Sequence, residues 1–211
     1  MTKYKCIIFD CDGVLVDSES IAIGTMVEMA NNLGANMDLE ESMVTLKGKS
    51  FNSCLDLISK RANRLLPDTF EIDYRANTFK AFKEKIQPID GIKEVLESIE
   101  LPFCVASSGP ENKIRLNLEL TGLLPYFENK IYSCYTIQKW KPDPAVYLWA
   151  ARTMGFNPNE CLVIEDSVSG VQAAKNGGFD VFGFTAHDYD NELELYATKI
   201  FNNMDDLLKM L

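Results

Sequence analysis

Tyr4-Lys5-Cys6-Ile7-Ile8-Phe9-Asp10-Cys11-Asp12-Gly13-Val14-Leu15-Val16-Asp17-Ser18-Glu19 begins as an apolar run and ends in acid. Along an extended strand, side chains two residues apart point the same way, so Asp10 and Asp12 leave the strand with their carboxylates together. Two like charges that close repel unless a divalent cation relieves them or one carboxyl keeps its proton. Either remedy marks a working site.

Four more apolar runs carry strand character, at 102–106, 130–135, 161–164 and 180–184. Helical spacing fills the gaps between them. Ile114 and Leu118 stand one turn apart before Gly122, and Val146, Trp149 and Ala150 repeat at i, i+3, i+4. Strands alternating with helices predict an α/β fold built on a doubly wound parallel sheet.

The interval after the first strand breaks that rhythm. About ninety residues separate it from the second run, far more than one crossover helix needs. They carry helical stripes of their own: Ile23, Met26, Val27 and Ala30; Leu55, Ile58, Ala62 and Leu65; Tyr74, Phe79, Phe82 and Ile86. Pro88-Ile89-Asp90-Gly91 punctuates, and Ile92, Val95, Leu96 and Ile99 begin a helix into the second strand. The expectation is an α/β core of residues 1–16 and 88–211 with an all-helical domain inserted at 17–87, placed where it could cover the mouth of the first strand.

Composition narrows the function. With 211 residues, 46% of them apolar, the chain can bury one good core plus a satellite domain. No stretch approaches the ~20 continuous apolar residues of a membrane span. The N-terminal residues, with Lys3, Lys5 and then Asp10, lack a secretory pattern, which points to the cytoplasm and to no membrane partner. Cys6, Cys11, Cys54, Cys104, Cys134 and Cys161 mostly fall in apolar runs with no C-x-x-C pair, and read as reduced core thiols. A net charge of −10 argues against nucleic acid as a partner, because phosphate polymers need a basic face. An anionic small substrate then needs local cations.

Polar residues of particular kinds end four of the five runs. Besides Asp10 and Asp12 there are Ser107-Ser108-Gly109-Pro110, then Trp140-Lys141-Pro142-Asp143-Pro144, then Glu165-Asp166-Ser167. Each of them also has a plainer reading, as a turn, a helix cap or a solvated charge. In an open parallel sheet, however, ligands bind beyond the carboxyl ends of the strands, so the four groups should converge. Together they suit phosphoryl transfer. Four carboxylates would repel a phosphate dianion, so a hard, oxygen-ligated cation is needed among them; without a His or Cys ligand set, Mg²⁺ is the expected ion. Lys141, the Ser107 hydroxyl and the amides of Ser108 and Gly109 would hold the transferring oxygens. Either Asp10 or Asp12 could attack phosphorus, with the other serving as acid and then base.

D-C-D-G-V-L-V-D-S-E, V-A-S-S-G, K-P-D-P and I-E-D-S-V-S-G resemble, in order, the four motifs of the haloacid dehalogenase-like hydrolases, in the branch with a helical cap after the first motif. That resemblance implies a Rossmann-like core, Asp10 as nucleophile and Asp12 as general acid/base. It implies Ser107 and Lys141 as phosphate holders, and Mg²⁺ on Asp10, the Asp12 carbonyl and Asp166, with Glu165 on the metal directly or through water. It also favours phosphoryl transfer over dehalogenation, which does not need the second aspartate.

Sugar phosphomutases of this branch carry a histidine twelve residues past the nucleophile, where this chain has Ala22, and an arginine where it has Phe51. Hydrolysis is therefore the expectation and a phosphomutase the alternative. The lone histidine, His187, lies in a polar stretch and reads as a surface residue. A signalling receiver domain shares the residue types but places its phospho-accepting aspartate after the third strand and lacks the insertion. The stretches 108–113 and 135–144 are similar to those of capped members acting on 6-phosphogluconate, so a small phosphorylated metabolite of the sugar-phosphate class is the expected partner. Lys47, Gly48, Lys49 and Arg75 of the cap are candidates for its recognition. The expected assembly is a monomer or weak homodimer.

Overall fold

The computed structural model describes residues 3–46, 51–186, 188 and 191–211. Two compact units divide the chain: one holds the segment that ends at Val16 together with Gln87–Leu211, the other Asp17–Ile86.

The first unit is a parallel α/β sheet. Its strands are β1 (Cys6–Phe9), β2 (Phe103–Ser107), β3 (Ile131–Ser133), β4 (Cys161–Glu165), β5 (Asp180–Phe184) and β6 (Lys199–Phe201), in the order β3-β2-β1-β4-β5-β6. Interleaved with them are α5 (Ile92–Ser98), α6 (Glu111–Leu120), α7 (Leu124–Phe127), α8 (Cys134–Ile137), α9 (Ala145–Met154), α10 (Val168–Asn176) and α11 (Met204–Met210). Every paired strand runs parallel, with Cys6 opposite Cys161 and Phe9 opposite Ile164 in the central β1–β4 ladder. A parallel strand covered on both faces needs apolar residues at every position, and β1, β2 and β4 are buried throughout. One face, with Cys6, Ile8, Cys104, Ala106, Val163 and Val181, packs on Val146, Tyr147 and Ala150 of α9 and on Val171 and Ala174 of α10. On the other, Phe9, Phe103 and Phe127 meet edge to face at 5.4–6.4 Å.

The second unit is helical: α1 (Glu19–Asn32), α2 (Leu39–Leu46), α3 (Phe51–Ala62) and α4 (Phe70–Lys85). Its core gathers the α1 stripe Ile23, Met26, Val27 and Ala30 with Leu46, Cys54, Ile58 and Phe70.

The structure departs from the sequence reading in several places. The third run is strand only from Ile131 to Ser133, because the Ser133 hydroxyl accepts the Tyr135 amide and starts α8 at Cys134. Strand β6 was not expected; it has three residues, two of them exposed, and leaves no apolar pattern to read. Helix α2 was equally silent, burying only Ser42 and Leu46. Leu65, placed on a helical stripe, lies beyond the end of α3 and is 88% exposed. All six cysteines are free and buried, as expected. No helix among the described residues is long and apolar enough to cross a membrane.

Candidate active site

Beyond the carboxyl ends of β1 and β4 the sheet changes its direction of winding, with β2 and β3 on one side and β5 and β6 on the other. That divide is where a crevice opens in doubly wound sheets. The Asp10 amide extends the β1–β4 ladder by donating to the Ile164 carbonyl at 2.9 Å, which fixes where the carboxylate emerges. Asp10 and Asp166 are buried and Glu165 is fully so, and one carboxylate oxygen from each lies within 4.8 Å of the others. Three convergent carboxylate oxygens with no sulfur or imidazole are the donor set of a hard cation.

Lys141 counters part of this charge. Its ammonium donates to Asp10 Oδ1 and Glu165 Oε1, each at 2.7 Å, and to the Ala106 carbonyl at 3.3 Å, which uses all three of its protons. Glu165 has a partner for both oxygens. Tyr147 Oη donates to Oε1 at 2.9 Å; the Ser167 amide and hydroxyl donate to Oε2 at 2.8 and 2.9 Å. The Ser167 hydroxyl also caps α10 by accepting the Gly170 amide, so the start of that helix and the carboxylate are tied together.

Electrostatics follow from this geometry. Burial pushes the Asp10 carboxyl up to about 7, with Lys141 pulling it down and Glu165 adding to the rise. Burial also works against charge on Glu165, but Lys141, Ser167 and Tyr147 outweigh it and hold that carboxyl below its ordinary value. Burial likewise opposes the Lys141 charge, yet Asp10 and Glu165 raise its pKa well above the usual lysine value.

Two glycines let the backbone approach these acids. A Cβ at Gly13, whose φ is +82°, would lie 2.1 Å from Asp166 Oδ2; one at Gly170 would lie 1.6 Å from Glu165 Oε1. No other residue type fits either place without a shift.

The β1–β2 side is wetter. Ser107 is buried, and its hydroxyl accepts the Gly109 amide at 3.0 Å, while Ser133 donates to the Gly109 carbonyl at 2.6 Å. A Cβ at Gly109 would stand 3.5 Å from Ser107 Oγ and 3.7 Å from both Asp12 Oδ2 and Lys113 Cδ, which locates all four residues on one flank. Ser108 is exposed beside them. Lys113 Nζ donates to both Asp12 oxygens, at 3.1 and 2.9 Å, with each side chain 30% exposed. Burial opposes the Lys113 charge, but Asp12 outweighs it and the lysine pKa rises. The aspartate pair therefore has a lysine for each member.

Asp10, Asp12, Ser107, Gly109, Lys141, Glu165 and Asp166 thus gather at the ends of β1, β2 and β4, as the spacing of motifs predicts. Arg75 belongs to the helical unit, where it pairs with Glu71 and lies 5.7 Å from the Phe51 ring centroid. Lys47, Gly48, Lys49 and His187 lie outside the described residues. Sequence reasoning gave no role to Lys113, Tyr147 or Ser167. For Lys113 a signal existed: a lysine in a helix's first turn opposes the helix dipole and needs a reason to be there.

The sheet order, the inserted helices and this carboxylate–lysine cluster define a haloacid dehalogenase-like hydrolase, and the model of that family matches residues 7–184: the chain belongs to it. Phosphatases of the family generally use a divalent metal, and the buried acids here offer oxygens for one. Among its relatives is the 6-phosphogluconate phosphatase of Escherichia coli (strain K12), 35% identical over 208 residues that cover 98% of this chain and 94% of that protein. A conserved haloacid dehalogenase-like protein of Agrobacterium tumefaciens str. C58 superposes with a TM-score of 0.91 at 30% identity, covering 98% of this chain and 97% of its own. A haloacid dehalogenase family hydrolase of Deinococcus radiodurans R1, solved with bound phosphate and sodium, gives 0.85 at 26% identity, covering 98% and 94%.

Proposed function

We propose that the chain is a Mg²⁺-dependent phosphatase that hydrolyses a small sugar phosphate, with 6-phosphogluconate the first substrate to try. The observation that carries this reading is the buried triad of Asp10, Glu165 and Asp166, with Asp12 two residues on and paired with its own lysine. The substrate class rests on the Escherichia coli relative.

In this reading Asp10, the Asp12 carbonyl and Asp166 would hold Mg²⁺, with Glu165 on it directly or through water; when bound, the ion would neutralise charge that otherwise repels a phosphate dianion. Asp10 attacks phosphorus; the P–O bond to the sugar breaks as the new bond to the Asp10 carboxylate forms, and Asp12 gives its proton to the departing oxygen. Water then attacks the acyl phosphate and loses a proton to the Asp12 carboxylate; inorganic phosphate leaves and Asp10 is restored. Ser107, the amides of Ser108 and Gly109, and Lys141 hold the phosphoryl oxygens through both steps.

The test is phosphate release from a panel of phosphorylated sugars and sugar acids, with Mg²⁺ and with a chelator. Asp10→Asn is expected to lower turnover by roughly 10³-fold or more, since it removes the nucleophile. Turnover retained in that variant, or undiminished by chelation, would end this reading.

A further inference from the structure

We infer that Lys113 is a positioning residue for the second half of the reaction: it fixes the Asp12 carboxylate as the acceptor for the proton of the attacking water. The inference rests on the function proposed above and adds to it a residue outside the four motifs.

Three observations converge. Lys113 Nζ reaches both Asp12 oxygens, at 3.1 and 2.9 Å, across 101 residues of chain. Contact from one ammonium to both oxygens restricts rotation of the carboxylate and holds it in one place. Lys113 also stands in the first turn of α6, where backbone amides already make the local potential positive; an added cation there is disfavoured unless a nearby anion offsets it. Asp12 is that anion. Finally, the pair borders the Ser107–Gly109 loop: a Cβ at Gly109 would touch Ser107 Oγ, Asp12 Oδ2 and Lys113 Cδ at 3.5–3.7 Å. Asp12 is therefore held beside the groups proposed to hold the phosphoryl oxygens, and 30% exposed, so that water has access to it.

A water oxygen bonds to phosphorus, the bond between phosphorus and the Asp10 oxygen breaks, and the water proton passes to Asp12. Lys113 gives up no proton. It holds the acceptor in reach; with a leaving group that needs no proton, the first half does not call on it.

The two halves separate kinetically with p-nitrophenyl phosphate, whose leaving group needs no proton. Its kcat/KM reports transfer to Asp10, while kcat reports loss of phosphate from Asp10 when that step is slower. For Lys113→Met we expect kcat to fall on the order of 10-fold, a fraction of what a full acid–base group supplies. We expect kcat/KM to stay within about 3-fold, with a burst of nitrophenolate and accumulation of acid-stable phosphoenzyme under rapid quench. Lys113→Arg should restore much of kcat. An equal fall in kcat and kcat/KM, or no burst, overturns the assignment, because a structural or phosphate-binding lysine would act on both halves. Asp12→Asn in the same assay separates the two layers of argument. A burst there without one in Lys113→Met removes only the role of Lys113; no burst in either removes Asp12 as the base and the inference with it.

Discussion

A lysine–glutamate pair stands at each end of the central β1–β4 ladder, the second lysine coming from the loop before α9, and the two pairs behave differently. At the amino ends of β1 and β4, Lys5 meets Glu160 at 2.6 Å; at the carboxyl ends, Lys141 meets Glu165 at 2.7 Å. The lengths are nearly equal. Side-chain exposure is 63% and 25% in the first pair, against 3% and 0% in the second. Water screens the first, so it adds little to stability. In the second no water is at hand, and every charge needs a protein partner, which explains Tyr147, Ser167 and the shared Asp10. Burial, not pairing, separates a surface ornament from a site that can hold charge for chemistry.

The largest expected effect on that contrast comes from Lys141→Met. It strands Asp10 and Glu165 as buried, uncompensated carboxylates and should cost about 3–5 kcal/mol in urea denaturation without metal. Lys5→Ala, in the same assay, should produce a change at the edge of detection. Equal losses at the two edges would break the comparison.

Next comes Gly170→Ala. Alanine ordinarily favours a helix, yet here its methyl would sit on Glu165, so the substitution should destabilise by about 1–3 kcal/mol, as overpacking does. A gain in stability would mean that Glu165 moves aside freely and the carboxyl edge is less rigid than its bonds imply.

The smallest effect is a pH dependence at the amino edge. Hydrogen bonds from Lys5 and from the Asn157 backbone and side chain lower the Glu160 carboxyl from 4.5 to about 2. A carboxyl lowered on folding stabilises fully above its unfolded pKa and loses that contribution as pH falls through the folded one. The stability difference between the parent chain and Glu160→Gln should therefore be constant above pH 4.5 and shrink as pH drops from there towards 2. A difference that grows on acidification would reverse the sign.

How much of this was legible in the sequence depended on the distance over which each signal acts. The strands and the order of the motifs are local patterns: an apolar run, then acids or hydroxyls, repeated. Asp10, Ser107, Lys141 and Glu165 could be placed because each follows or closes such a run. Tyr147 could not. On α9 it stands between Val146 and Trp149, where an aromatic residue suits the core, and nothing nearby says that its hydroxyl meets Glu165, 18 residues on. Lys113 and Asp12 are farther apart still, so only the fold reveals the pair. Which group neutralises which is a property of tertiary structure.

The two outermost strands, β3 and β6, have three residues each, against four or five in those between them. An open sheet exposes its last backbone groups to any passing extended chain, and the number offered sets how firmly such an intruder can attach. Three residues give it a poor foothold. The fold thereby limits self-templated growth at the rim of the sheet, a safeguard that leaves the chemistry at the strand ends undisturbed when the protein is concentrated.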